Sequence, residues 1–181
     1  MKGCHMGKSA AVTLSASENA EQPWSLKMIA PLEPAIVCRD MERMLKFYTE
    51  VLGLTRVADV EAAPDIGAKI HISPHGYRIV RLQTPYGERI KLVQPKVLPT
   101  QSPVYDYVYE RHGYAYLTFI VGNMGELLSR LSAQNLKVVS DGLVEVRKGV
   151  FALFILDPEG NFVEFVDYPD IASYRPDLVK K

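Results

Sequence analysis

The chain has 181 residues, long enough for one large domain or two small halves with a real core. Apolar residues make up 48% of it and charged residues 23%, which is ordinary for a globular protein. Lys plus Arg and Asp plus Glu number 21 each, so the balanced charge favours neither nucleic acid nor an anionic membrane surface as a partner.

The first 27 residues are predicted to be a disordered leader, because they are rich in Ser, Ala, Glu and Asn and show no apolar period. Met28 is an alternative start. The leader lacks the apolar core of a signal peptide, and no apolar run in the chain reaches membrane-spanning length. Cys4 and Cys38 give neither a disulfide framework nor a metal-type spacing, which favours a reduced, cytoplasmic setting.

Residues 28–96 are predicted to form a first structural module. Asp40 is a good helix N-cap and Gly53 a good stop, with apolar residues at helical spacing between them. The segment before the helix is β-prone up to Cys38, and strands are predicted at 54–60, 77–83 and 89–94. Residues 62–74 are harder to assign, with a short strand around 69–72 as one option.

Residues 97–112 are predicted to be a crossing linker, and residues 113–168 repeat the first pattern. Asn123 caps a second helix, predicted at 124–134, and lies 83 residues after Asp40. Strands are predicted at 116–121, 137–140, 143–147, 151–156 and 162–167, followed by a polar tail over 169–181. The sequence therefore predicts two tandem βαβββ units, each too small to bury its sheet alone.

The last hairpin places a charged residue among apolar ones. Asp157-Pro158-Glu159-Gly160 has the composition of a tight turn, and the flanking segments are apolar. Glu164 lies in the middle of the second strand. Because an unpaired buried carboxylate is costly, Glu164 is expected to meet a cation, a metal or a hydrogen-bond donor, unless the strand is an edge strand that leaves it solvated.

Two of these motifs resemble the vicinal oxygen chelate superfamily. They are the Asp40-Met41-xx-Met44-xx-Phe47-Tyr48 segment, ending at Gly53, and the segment from Asp157 to Glu164. That superfamily includes glyoxalase I, methylmalonyl-CoA epimerase, extradiol dioxygenases, and the fosfomycin and bleomycin resistance proteins. The resemblance implies an α+β fold in which two tandem βαβββ modules form a curved half-barrel around a ligand cavity, and it implies a homodimer.

The resemblance also implies where a metal would bind, namely one residue from the first and one from the last strand of each module. These positions correspond to Glu33, Lys91, Tyr116 and Glu164, where the family mostly carries His, Gln or Glu. Glu33 and Glu164 are the candidate ligands of a divalent metal ion. Tyr116 is a poor ligand because its phenol must first lose a proton, and the ammonium of Lys91 has no lone pair to offer.

Three interpretations of these positions stay open. Lys91 replaces the metal and neutralises Glu33 and Glu164, either as part of a catalytic site or as a purely structural salt bridge. Alternatively, a metal enzyme draws ligands from elsewhere, and the histidines nearest in sequence are His71, His75 and His112.

The favoured function is a lyase or isomerase resembling glyoxalase I that acts on a small oxygenated metabolite. Glu164, Glu33 and Lys91 are its candidate catalytic residues, and Tyr116, Arg89 and Tyr107 its candidate substrate-binding residues. Arg78, Arg81 and Arg89 either meet an anionic substrate or coat a solvated face.

The alternative function is a metal-free small-molecule binder resembling the bleomycin resistance proteins. An extradiol dioxygenase is least favoured, because its iron site needs histidines at the two positions that Glu33 and Tyr116 occupy in this chain. The absence of a glycine-rich phosphate loop argues against a nucleotide or flavin.

Overall fold

The structure is a computed structural model that describes residues 26–110, 112–136 and 138–178. The chain divides into two units, residues 1–30 and residues 31–181. Of the first unit, residues 26–30 are described, and they contain neither helix nor strand. The leader predicted over residues 1–27 lies almost entirely outside the described residues.

The first module has one main helix and four strands in the predicted order. Helix α1 spans Met41–Lys46 and continues as a π-helical turn over Phe47–Val51. The other elements are β1 (Ala35–Val37), β2 (Thr55–Ala62), helix α2 (Pro64–Lys69), β3 (Tyr77–Gln83) and β4 (Arg89–Pro95). The predicted strand around 69–72 is wrong, because a short helix that Pro64 begins ends at Lys69 and residues 70–72 form a turn.

The second module repeats this order with one main helix. Its elements are β5 (Tyr116–Ile120), helix α3 (Met124–Ala133), β6 (Val144–Arg147), β7 (Val150–Leu156) and β8 (Phe162–Asp167). The strand predicted over 137–140 is reduced to a single bridge between Val138 and Ile155, and Lys137 lies outside the described residues. The tail holds a helical turn, α4 (Ile171–Tyr174), which stacks Tyr174 on Tyr168 at 4.0 Å between ring centroids.

The described strands form two mixed four-stranded sheets with equivalent topology, in the orders β1-β4-β3-β2 and β5-β8-β7-β6. In each sheet the first strand is parallel to the last, and the remaining neighbours are antiparallel. The predicted α+β fold of two tandem βαβββ modules is confirmed. No helix in the described ranges is long and apolar enough to cross a bilayer.

One hydrophobic core joins the helix-covered faces of both sheets. Alternate residues of β4 and β8, such as Leu92 and Val163, are fully buried in it. The helices contribute Met44 and Leu131, which are 0% and 1% exposed. Burying these side chains supplies the main favourable free energy of folding, at about 25 cal/mol per Å² of apolar surface.

The turn between β7 and β8 fastens the second module to α1. The carboxylate of Glu159 accepts hydrogen bonds from the backbone N–H groups of Arg39 and Asp40 at 2.7 and 2.6 Å. The Tyr48 hydroxyl, which is buried, donates to Asp157 at 3.1 Å. Asp40 itself caps α1 as predicted, since its carboxylate accepts from the Arg43 N–H at 3.0 Å.

Candidate functional site

Strand alternation separates two sets of charged residues in sheet one. Leu92 and Val80 are cross-strand partners that point into the core, so Lys91 and its partner Arg81 lie on the opposite face. Arg89 follows the parity of Lys91 and joins it there. These three cations, with Glu33 just before β1, are called the module-one site.

Glu33 is the carboxylate of the module-one site. Its oxygens lie 3.7 Å from Nε of Arg81 and 3.8 Å from a terminal nitrogen of Arg89. Nε of Arg89 also donates to the amide oxygen of Gln83 at 2.8 Å. Because the side chains of Glu33, Arg81 and Arg89 are 29%, 34% and 41% exposed, the cluster is half-buried and open to a ligand.

The proposed neutralisation of Glu33 and Glu164 by Lys91 is not what the structure shows. Within the described ranges no carboxylate comes within 4.0 Å of the Lys91 ammonium, and the two arginines surround Glu33 instead. The physical reason is register: β3 places Arg81 directly opposite Lys91, so the carboxylate meets guanidinium groups on strands β3 and β4.

Replacing Lys91 by methionine should therefore leave the melting temperature unchanged or raise it slightly. The substitution removes one of two like charges that face each other across β3 and β4, an arrangement that costs roughly 0.2–1 kcal/mol. Thermal melting of Lys91→Met beside the exposed control Lys69→Met measures the change. A fall of several degrees in Lys91→Met alone would show that the ammonium is stabilised by a carboxylate.

Sheet two presents a different set of residues on the equivalent face. Tyr116, Thr118, Phe154 and Glu164 follow one parity, and they are called the module-two site. The Thr118 hydroxyl donates to Glu164 at 2.6 Å, which satisfies the requirement that this carboxylate meet a donor. The Tyr116 ring packs edge-on against Phe154, with 5.3 Å between centroids.

The Tyr116 phenol is held in its protonated form. Partial desolvation, the negative charge of Glu164 and the adjacent Tyr109 hydroxyl together raise the pKa of Tyr116 above its usual value. A phenol with a raised pKa is a hydrogen-bond donor at neutral pH and a poor metal ligand. Glu164 and Tyr116 therefore place an acceptor and a donor on the same face of sheet two.

The residues at the four family positions do not fit a divalent metal ion. Glu33 already faces two guanidinium groups, Lys91 repels a cation, and Tyr116 is protonated. Across the described residues, no group of three or more His, Cys, Asp or Glu side chains gathers closely enough to hold a metal. The metal assignment to Glu33 and Glu164 thus gains no support from the donor set.

Other sequence candidates fall outside these two sites. Arg78 lies on the helix-covered parity, where it binds Asp59 at 2.8 and 3.0 Å and Glu42 at 2.6 Å. Tyr107 is 74% exposed, and Tyr109 rather than Tyr107 lies beside Tyr116. Thr118 was missing from the predicted site, although it follows the alternation of Tyr116. Arg81 was considered only as one of three arginines that either meet an anionic substrate or coat a solvated face.

The structure brings the predicted residues together as two groups. Glu33 and Arg89 meet in the module-one site, and Tyr116 and Glu164 meet in the module-two site. No hydrogen bond or ion pair in the described ranges joins the two sites. Depressions of about 400 and 410 Å³ lie elsewhere, one lined by Leu45 and Thr49 of the first helical segment and the other by Leu128 and Ser132 of α3.

Two tandem βαβββ units, each with a helix on one sheet face and polar residues on the other, define a paired-module α+β protein. The chain belongs to the Glyoxalase/Bleomycin resistance protein/Dioxygenase superfamily, whose family model matches residues 29–165. The comparison with curated proteins found no match.

Solved structures support the same fold. A glyoxalase family protein from Bacillus cereus aligns with a TM-score of 0.67 at 21% identity, covering 78% of this chain and 95% of its own. The trypanothione-dependent glyoxalase I of Leishmania major aligns with a TM-score of 0.59 at 21% identity, covering 86% of this chain and 96% of its own. A glyoxylase/bleomycin resistance protein/dioxygenase domain from Frankia sp. EAN1pec gives 0.60 at 18% identity, covering 81% and 95%. Likeness at these identities concerns the fold.

Proposed function

We propose that this chain binds a small molecule without a divalent metal at the four family positions. The observation that carries the proposal is the engagement of Glu33 by Arg81 and Arg89, which leaves no free carboxylate pair for a cation. A metal ion beside Glu33 would be repelled by the three positive side chains of the module-one site. The ligand would instead be held by the side chains of the module-one and module-two sites.

We favour the metal-free binder over the glyoxalase-I-like lyase or isomerase that was favoured from the sequence. The residues at the four family positions do not form a suitable donor set for metal-assisted chemistry. The site residues support an iron-dependent dioxygenase even less, since neither Glu33 nor Tyr116 supplies an imidazole ligand.

A metal-independent lyase or isomerase is the second candidate, and one observation favours it. Glu164 is fixed by the Thr118 hydroxyl and lies near the protonated phenol of Tyr116. A carboxylate that accepts a proton beside a phenol that donates one is a workable acid–base pair for proton transfer at a carbon next to a carbonyl. In this candidate Glu164 is the general base, and Tyr116 stabilises the developing oxyanion.

Metal retention tests the proposal directly. Protein purified without chelator, incubated with excess Zn²⁺ or Ni²⁺ and then desalted should retain well below one ion per chain, because the site offers mostly positive or protonated groups. Lys91→Glu, which removes the ammonium and adds a carboxylate, should retain more metal and serves as the positive comparison. About one ion per parent chain, lost in Glu164→Gln, would overturn the metal-free proposal.

The remaining assignments stay predictions. They include the homodimer, the cytoplasmic location, the module boundaries at 28–96 and 113–168, and the substrate contact of Tyr107.

A further inference from the structure

The module-one site carries more positive charge than the fold itself neutralises. Lys91 and Arg81 face each other across β4 and β3, and Arg89 lies two residues along β4 on the same face. Like charges placed directly opposite on neighbouring strands destabilise a sheet. Within the described ranges Glu33 is the one carboxylate within ion-pair distance of these three cations, so the site has an excess of two positive charges.

Glu33 also engages the arginines loosely. Its contacts of 3.7 and 3.8 Å are longer than the 2.7–3.2 Å of typical hydrogen bonds, so they are ion pairs without a formed N–H to oxygen bond. Each guanidinium has five N–H donors. Apart from the bond from Arg89 to Gln83, the described side chains place no acceptor within hydrogen-bond distance of these donors.

Arg78, on the same strand, shows an arginine that is hydrogen-bonded to carboxylates. Three residues before Arg81, it makes hydrogen bonds of 2.6 to 3.0 Å with the carboxylates of Glu42 and Asp59. It lies on the other face of β3, among the residues that face α1. Strand β3 therefore carries one arginine, Arg78, whose three nitrogens all donate to carboxylates, and another, Arg81, whose donors are free among the described residues and face outward.

We infer that the module-one site binds an oxyanion, the carboxylate or phosphate group of the small-molecule ligand. Arg81, Arg89 and Lys91 supply the charge-assisted hydrogen bonds, and planar guanidinium groups match the geometry of both kinds of anion. The carboxylate of Glu33 lies beside both guanidinium groups, so it competes with an anionic ligand for Arg81 and Arg89. The inference rests on the proposed function and names the class of its ligand.

Neutralising a cation of the site and neutralising its carboxylate should have opposite effects on anion binding. Lys91→Gln removes a ligand-binding charge and should weaken anion binding by about three- to tenfold for a half-exposed contact. Glu33→Gln removes the competitor and should strengthen binding by a similar factor. Lys69→Gln on α2 and Glu126→Gln on α3 change the net charge identically but lie elsewhere, so they should leave binding unchanged.

Sodium phosphate and sodium malonate, titrated at constant ionic strength, are suitable probes. The side-chain Nε–H signals of individual arginines in ¹H–¹⁵N spectra report binding residue by residue. We expect saturable shifts at Arg81 and Arg89 and none at Arg78, and the tighter probe tells carboxylate from phosphate. Lys91→Gln removes a like-charge contact, so it should fold even if Glu33→Gln is destabilised.

Linear shifts of the Nε–H signals that are equal at all arginines would overturn the inference. An equal change in anion affinity in Lys91→Gln and Lys69→Gln would overturn it as well. Metal retention separates this inference from the proposed function. Saturable anion binding in a chain that also retains one metal ion would overturn the metal-free proposal alone. Absence of saturable binding in a metal-free chain would overturn the anion site alone.

Discussion

Replacing Asp157 by alanine should lower the free energy of unfolding by about 3–5 kcal/mol, because four donors lose their acceptor in a buried place. Asp157 is 4% exposed. It accepts from the backbone N–H groups of Glu159 and Asn161 at 2.9 Å each, from the Asn161 amide and from the Tyr48 hydroxyl. Denaturant unfolding of Asp157→Ala beside the exposed control Asp141→Ala measures the loss, and an equal, small effect in both would contradict it.

The pH dependence of this contribution has a definite sign. Burial raises the pKa of Asp157 above 3.8, although hydrogen bonds from Asn161, Glu159 and Tyr48 partly oppose the rise. A raised pKa means that the folded state holds the proton longer than the unfolded state, so stability falls as pH rises from about 3.8 through the folded-state pKa. Asp157→Asn cannot ionise at this position. The parent should therefore lose stability relative to Asp157→Asn over this window, and a relative gain would show that hydrogen bonding outweighs burial.

Gly76→Ala should cost about 2–5 kcal/mol, from two separate effects. Gly76 has φ +81°, a left-handed conformation that side-chained residues resist, and an added Cβ would lie 2.7 Å from the carbonyl oxygen of Ala62. That oxygen belongs to the backbone at the end of β2 and has little freedom to move aside.

Gly53→Ala is the matched control. Gly53 has nearly the same φ, +77°, but an added Cβ meets nothing within 4 Å. It should cost only the conformational part, about 1–2 kcal/mol. Unfolding curves of both variants give the difference, which measures the clash alone. Equal losses would show that the segment around Ala62 moves away without cost.

Elements with a clear apolar run were predictable from the sequence. The observed limits of β3 and β8 agree with those predicted, because both strands are rich in apolar residues and are bounded by turn residues. Helix α2 was not predicted, because it is short, faces solvent and so shows no apolar period; Ile66 within it is 48% exposed. The π-helical turn after Lys46 also escaped prediction, since its i→i+5 hydrogen bonding leaves no mark in the residue pattern.

The candidate site was predictable as a set of positions and not as a set of contacts. Because side chains alternate along a strand, Lys91 lies on the face of β4 opposite Leu92, and Glu164 lies on the face of β8 opposite Val163. The partner of Glu33 depends on the register between β3 and β4, which puts Arg81 opposite Lys91. A sequence shows which residues alternate, whereas the register depends on how the two strands align in space.

The Glu159 contact with the start of α1 has a consequence for how the protein forms during synthesis. Glu159 lies 120 residues after Arg39 and 119 after Asp40, and Tyr48 and Asp157 are 109 apart. A ribosome releases the amino-terminal part of a chain first, and contacts between distant residues slow folding. The first module therefore emerges with the amino end of its main helix lacking the Glu159 carboxylate and with the Tyr48 hydroxyl lacking its acceptor. Both gain these partners only when the last hairpin has left the ribosome, so residues near the end of the second module complete the contacts of the first.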